Sequence, residues 1–127
     1  MTKKKSSPKV KPNLKSFKGI PKKIRVSVNK YDVELKKEVY LKKNQTTECY
    51  GVCNSTEKTI ELSTSYPNHN VSCVLLHELL HALYYEYDLE NRTPEEKVVS
   101  ILSTGLTNLF VDNPKLLEYF IKEWRAK

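Results

Sequence analysis

The stretch VSCVLLHELLHALYY, Val71 to Tyr85, dominates what this chain can become. Its apolar residues recur on nearly every side of a helix, so the helix has to sit centrally and be largely buried. Asn68 or Asn70 can cap its start. His77, Glu78 and His81 interrupt the run, which makes it unsuited to crossing a bilayer. They also pose a problem, because each is costly to bury without a partner.

A shared metal satisfies all three at once. Positions i and i+4 lie one turn apart on the same helical face, so His77 and His81 can aim their imidazoles at one point. Glu78 is rotated about 100° from His77 and is badly placed as a further corner. It can still reach a water beside the metal. Zinc lowers the pKa of such a water to about 7, and a carboxylate next to it can take the proton. HELLH is therefore a full match to H-E-x-x-H, with Glu78 as general base and Zn2+ as the expected metal.

An open catalytic zinc site takes three protein ligands. The metzincin extension would need glycine and histidine where this chain has Tyr84 and Tyr87, which excludes that class. Asp88 is two turns beyond His81, too far along a straight helix. His69 reads as a surface or capping residue, and Cys73 as a small core residue. Downstream, TPEE predicts a second helix to about Val111, with Thr93 as N-cap and Pro94 in its first position. Glu95 and Glu96 in its first turn could face the histidines, although Thr93 and Glu96 also spell a capping box. Spacing alone leaves these two glutamates balanced. A rival reading joins Cys49 and Cys53 to His77 and His81 as a closed Cys2His2 module that binds nucleic acid. The 23 residues between Cys53 and His77 exceed a zinc finger's usual interval of about 12. A further reading keeps the zinc without catalysis, as a zincin that holds a partner protein in its cleft.

The rest of the chain predicts an α+β domain. Ile24–Val28 alternates as a half-buried strand, NKYD offers a turn, and Val33–Leu41 can return as a second strand. YGVC leads through NSTE into Lys58–Ser63, a further strand. A small antiparallel or mixed sheet is then followed by the histidine helix, a Glu-bearing helix and a packing helix from Pro114 to about Trp124. On the last of these, Phe120 and Trp124 are expected to cover the core.

Charge is divided unevenly: residues 1–30 hold eleven Lys or Arg and no acid, while the remainder is net acidic. Residues 1–19 read as a basic, disordered leader and 20–127 as the folded domain. Such a leader can make nonspecific phosphate contacts with nucleic acid. Three unpatterned cysteines suit reduced thiols, hence a cytoplasmic protein with no membrane segment.

HELLHALYYE followed by EKVVSILSTGLTNLFVDNP resembles the small gluzincin-type zinc metallopeptidases of phages and prophages, related to the ImmA/IrrE-like group. The resemblance runs from about Tyr50 to Pro114. In that pattern Glu96 is in step with Val99, Leu102, Gly105 and Leu106, and Glu95 is not. It implies His77, His81 and Glu96 as zinc ligands, Glu78 as base, a protein or peptide substrate, and the host cytoplasm as location for a phage-encoded protein. It also implies that Lys58–Ser63 lies beside the cleft as the edge strand that an extended substrate joins.

Overall fold

The computed structural model describes residues 14–41, 48–66, 70–90 and 93–126. The fold is α+β: β1 (Lys23–Val26), β2 (Asn29–Lys36), β3 (Gly51–Asn54) and β4 (Thr59–Ser63) form one sheet, followed by α1 (Val71–Glu86), α2 (Glu95–Asp112) and α3 (Pro114–Arg125). Strand order is β1-β2-β4-β3, with β2 and β4 parallel and the other pairs antiparallel.

The first turn falls earlier than the sequence suggested. Val26 pairs with Asn29, so Ser27 and Val28 alone make the loop, and NKYD belongs to β2. Ser27 takes a left-handed φ of 59°, the twist that a two-residue hairpin demands, and Val28 stands exposed at the tip. The expectation for Lys58–Ser63 also changes. That strand is β4, flanked on both sides, and the free edge next to the helices is β3.

The inner face of the sheet contributes Ile24, Val26, Tyr31, Ile60 and Leu62, all essentially without solvent contact. Leu75, Leu79, Ala82 and Leu83 of α1 and Leu116, Tyr119 and Phe120 of α3 close over them. Trp124 stacks on Phe120 at 4.8 Å and donates from Nε1 to Ser72 Oγ, remaining half-exposed. The folded body begins before the boundary expected at Gly19. Lys15–Phe17 forms a 3-10 turn, Phe17 is buried in the core, and Tyr119 donates to the Ser16 carbonyl at 2.7 Å. The buried Phe17 ring, with the bonds from Tyr119 to Ser16 and from Lys122 Nζ to the Lys18 carbonyl, holds these lysine-rich residues on the body. The rest of the expected leader, residues 1–13, lies outside the described residues, as do His69 and Asn68.

Two close approaches set α1 in place. A Cβ on Gly51 would come within 2.9 Å of Val74 Cγ1, so β3 and α1 touch where only glycine fits. On the other side, a Cβ on Gly105 would lie 3.1 Å from both Leu83 and Tyr87, which marks where α2 crosses α1. Asn70 caps α1 by accepting from the Cys73 N–H, whereas Cys73 itself is exposed and not part of the core. The expected Thr93–Glu96 capping box does not form. Thr93 Oγ1 instead accepts from the Glu90 N–H, and α2 starts at Glu95 with no side-chain cap.

The candidate metal and peptide cleft

Between α1 and the free edge of β3 lies an open cleft of about 650 Å³, reached by His77, Glu78, His81, Cys53, Tyr85 and Asp88. The helical spacing does what the sequence required of it. His77 Nε2 and His81 Nε2 stand 3.2 Å apart with their rings tilted by 68°. Two nitrogens on neighbouring corners of a tetrahedral zinc, at the usual Zn–N length, are separated by about 3.3 Å. The pair therefore fits two corners of such a site. Both rings are exposed to the cleft, as an exchangeable metal needs.

Glu78 is different in character. Its residue is only 7 % exposed, and its carboxylate accepts the backbone N–H of Cys53 on β3. Burial pushes its pKa up, while the two histidines and the Cys53 N–H pull the other way without cancelling the rise. The carboxyl is thus anchored by the sheet and opens onto the same cleft as the histidines. Cys53 Sγ is partly buried and within 3.6 Å of Ser55 Oγ.

Glu96 is not brought to the pair. It is exposed in the first turn of α2, and among the described residues no group of three His, Cys, Asp or Glu side chains converges on a common point. The reason lies in the helix crossing. α2 meets α1 at Leu83 and Tyr87, and Leu83 is about 200° around the helix from His81. Glu96 is a further nine residues, about 13 Å, along α2 from Gly105. Glu95 is exposed in the same turn. Cys49 and Cys53 likewise do not gather with the histidines, so the closed Cys2His2 module is not formed.

One feature of the site escaped the sequence reading. Glu86, in the last turn of α1, has a side chain only 6 % exposed and is held by three groups: Asn29 Nδ2 at 2.7 Å, Tyr31 OH at 2.6 Å and Lys58 Nζ at 2.6 Å. Burial would raise its pKa, but these three hydrogen bonds and the Lys58 charge outweigh that and hold it below the usual range. The cluster ties the end of α1 to β2 and to the Ser55–Lys58 turn, whose Lys58 is in the left-handed region at φ 60°. Its signal in the sequence was weak: Glu86 follows Glu78 by eight residues, about 80° around the helix, which keeps both within one broad inward stripe.

A mixed sheet capped by an H-E-x-x-H helix, with the glutamate buried and the histidines open to a cleft, defines a small zincin-like domain. Residues 16–96, well over half of the chain, match the SprT-like family, which is of zincin-like metallopeptidase type and generally zinc-associated. The chain belongs to the SprT-like family. That description names neither phage peptidases nor the ImmA/IrrE-like group. Comparison with curated proteins and with solved structures finds no match. Among the described residues no helix is long and apolar enough to cross a membrane.

Proposed function

We propose that this chain is a zinc-dependent metallopeptidase that hydrolyses peptide bonds in the cleft between α1 and β3. The observation that carries the reading is the paired Nε2 atoms of His77 and His81, 3.2 Å apart, with Glu78 buried beside them. In this reading the two histidines hold the metal. Glu96, the third ligand that the resemblance implies, would have to be delivered from α2 when the metal binds. A bound zinc would supply Lewis acidity, which polarises a carbonyl and makes water more acidic. Glu78 Oε takes the proton from the attacking water and returns it to the departing amine. Its hydrogen bond from the Cys53 N–H fixes the carboxylate relative to β3. The Ser63 N–H bonds to the Tyr50 carbonyl, and alternation along an antiparallel pair then turns the backbone groups of Gly51 and Cys53 outward. The Gly51 N–H and carbonyl and the Cys53 carbonyl suit an extended peptide added as a further strand.

Zinc content tests the metal assignment. Protein purified without added metal is expected to carry about one zinc per chain, as one open site requires, and the double variant His77→Ala, His81→Ala to carry none. Zinc retained by Glu96→Ala would remove Glu96 from the site, while its loss would mean that α2 delivers Glu96 when metal binds. A wild-type chain that takes up no zinc overturns the reading.

The basic N-terminal residues are proposed to add nonspecific contacts to nucleic acid. Affinity for a DNA duplex should then fall steeply as salt rises, and a salt-insensitive or absent affinity removes the idea.

A further inference from the structure

We propose that the end of the cleft formed by Asp88, Tyr84 and Tyr85 receives a lysine or arginine side chain of the bound peptide, and so sets which sequences the protein takes. This rests on the peptidase reading for the bond that is cut, but not for the binding itself.

The argument starts from an acid in an unfavourable place. Asp88 follows the last turn of α1 with φ at 61°, its N–H bonded to the Tyr85 carbonyl and the Leu89 N–H bonded to the Tyr84 carbonyl. This is a left-handed helix terminus, the position glycine fills without strain. It is also the negative end of the helix dipole, where a carboxylate is repelled and a cation is favoured. The last turn of α1 contains no basic residue to offset it. Among the described residues no side chain forms an ion pair or hydrogen bond with the Asp88 carboxylate. The backbone conformation and the charge are both costs that no described side chain offsets, and this acid lines the cleft that holds His77, Glu78 and His81.

The neighbours specify the ligand. Among the described residues no lysine or arginine lines the cleft. Lys58, on the turn before β4, is paired with Glu86 at 2.6 Å. Lys58 Nζ also lies 4.7 Å from the centre of the Tyr85 ring, so this ring already accepts a cation on its face. Tyr84 and Tyr85 are both exposed to solvent, and Leu41 and Leu89 add apolar surface beside them. Aromatic and aliphatic walls with a carboxylate at the end match a long alkyl stem with a cationic head, which buries its stem and keeps its charge paired. A neutral apolar residue would leave Asp88 uncompensated, and an acidic one would be repelled. Asp88 lies seven residues, about 10 Å along the helix, beyond His81. A peptide extended at about 3.3 Å per residue with a long side chain covers that span within three residues of the bond at the histidines.

The test uses the zinc-loaded full chain with a randomised decapeptide pool, reading retained and cleaved peptides separately by mass spectrometry. The net charge of +7 attracts acidic peptides to the molecule as a whole, so a preference for basic ones has to arise locally. Wild type is expected to enrich Lys or Arg at one position, Asp88→Asn to lose about three- to tenfold of that enrichment, and Asp88→Lys to turn it toward Asp or Glu. Identical preferences in wild type and Asp88→Lys overturn the proposal even if cleavage is efficient. Charge-dependent retention that inverts in Asp88→Lys, with no peptide cleaved by wild type, supports it and overturns the peptidase reading instead. A pool neither retained nor cleaved overturns both.

Discussion

Replacing Glu78 by glutamine is expected to lower kcat on an unfolded protein substrate by about 10²- to 10⁴-fold, the range for removing a positioned general base. KM and zinc content should stay within a few-fold of wild type, because the amide keeps the size of the side chain and still reaches the Cys53 backbone. The asymmetry between kcat and KM is the useful part of the result. A residue that only shaped the cleft would change both, and one that held the metal would change zinc content. Equal activity of Glu78→Gln and wild type would take Glu78 out of the reaction and favour a zincin that binds a partner without cutting it.

The largest stability effect is expected at Glu86. Truncation to alanine leaves Lys58 Nζ, Tyr31 OH and Asn29 Nδ2 without the carboxylate they share, in a site where that side chain is 6 % exposed. Breaking a buried pair of this kind costs about 3–5 kcal/mol, to be read as a fall in the urea midpoint. Loss of the charged partner also leaves Lys58, on its left-handed backbone, with only the faces of the Tyr31 and Tyr85 rings. The pH dependence has a definite sign. The folded-state pKa of Glu86 is depressed, so its contribution is complete above the unfolded value of about 4.3 and is lost as pH falls through the lower, folded value. Wild type should therefore lose stability between about pH 5 and 3 more steeply than Glu86→Gln. Parallel curves for the two proteins would show that another carboxylate dominates.

The two predictions separate the layers of the site. Glu78 is buried beside the histidines and open to the cleft, whereas Glu86 sits at the end of α1 and ties it to β2 and the Lys58 turn. Both reach the sheet, Glu78 at Cys53 of β3 and Glu86 at Asn29 and Tyr31 of β2, from positions about 80° apart around α1. Their pKa values move in opposite directions for a physical reason. Glu78 receives a single N–H in a desolvated position, while Glu86 receives three donors, one of them a cation.

What the sequence determined by itself was local and periodic. HELLH fixed two histidines on one helical face, and the apolar run around it required burial, so α1 and its histidine pair follow from spacing alone. A cap at Asn68 or Asn70, the helix start at Pro114 and the strand at Lys58–Ser63 were legible for the same reason, since caps, turns and alternation act over a few residues. The tertiary structure decided everything that depended on how elements meet. β3 rather than β4 became the edge of the cleft, because the parallel pairing of β2 with β4 encloses the latter. Glu96 stayed away from the histidines because Gly105 lets α2 cross on the opposite side of α1. Asn29, Tyr31 and Lys58 met Glu86 across as many as 57 residues of chain. A helical period states which side chains share a face, but it carries no information about which partner that face will meet.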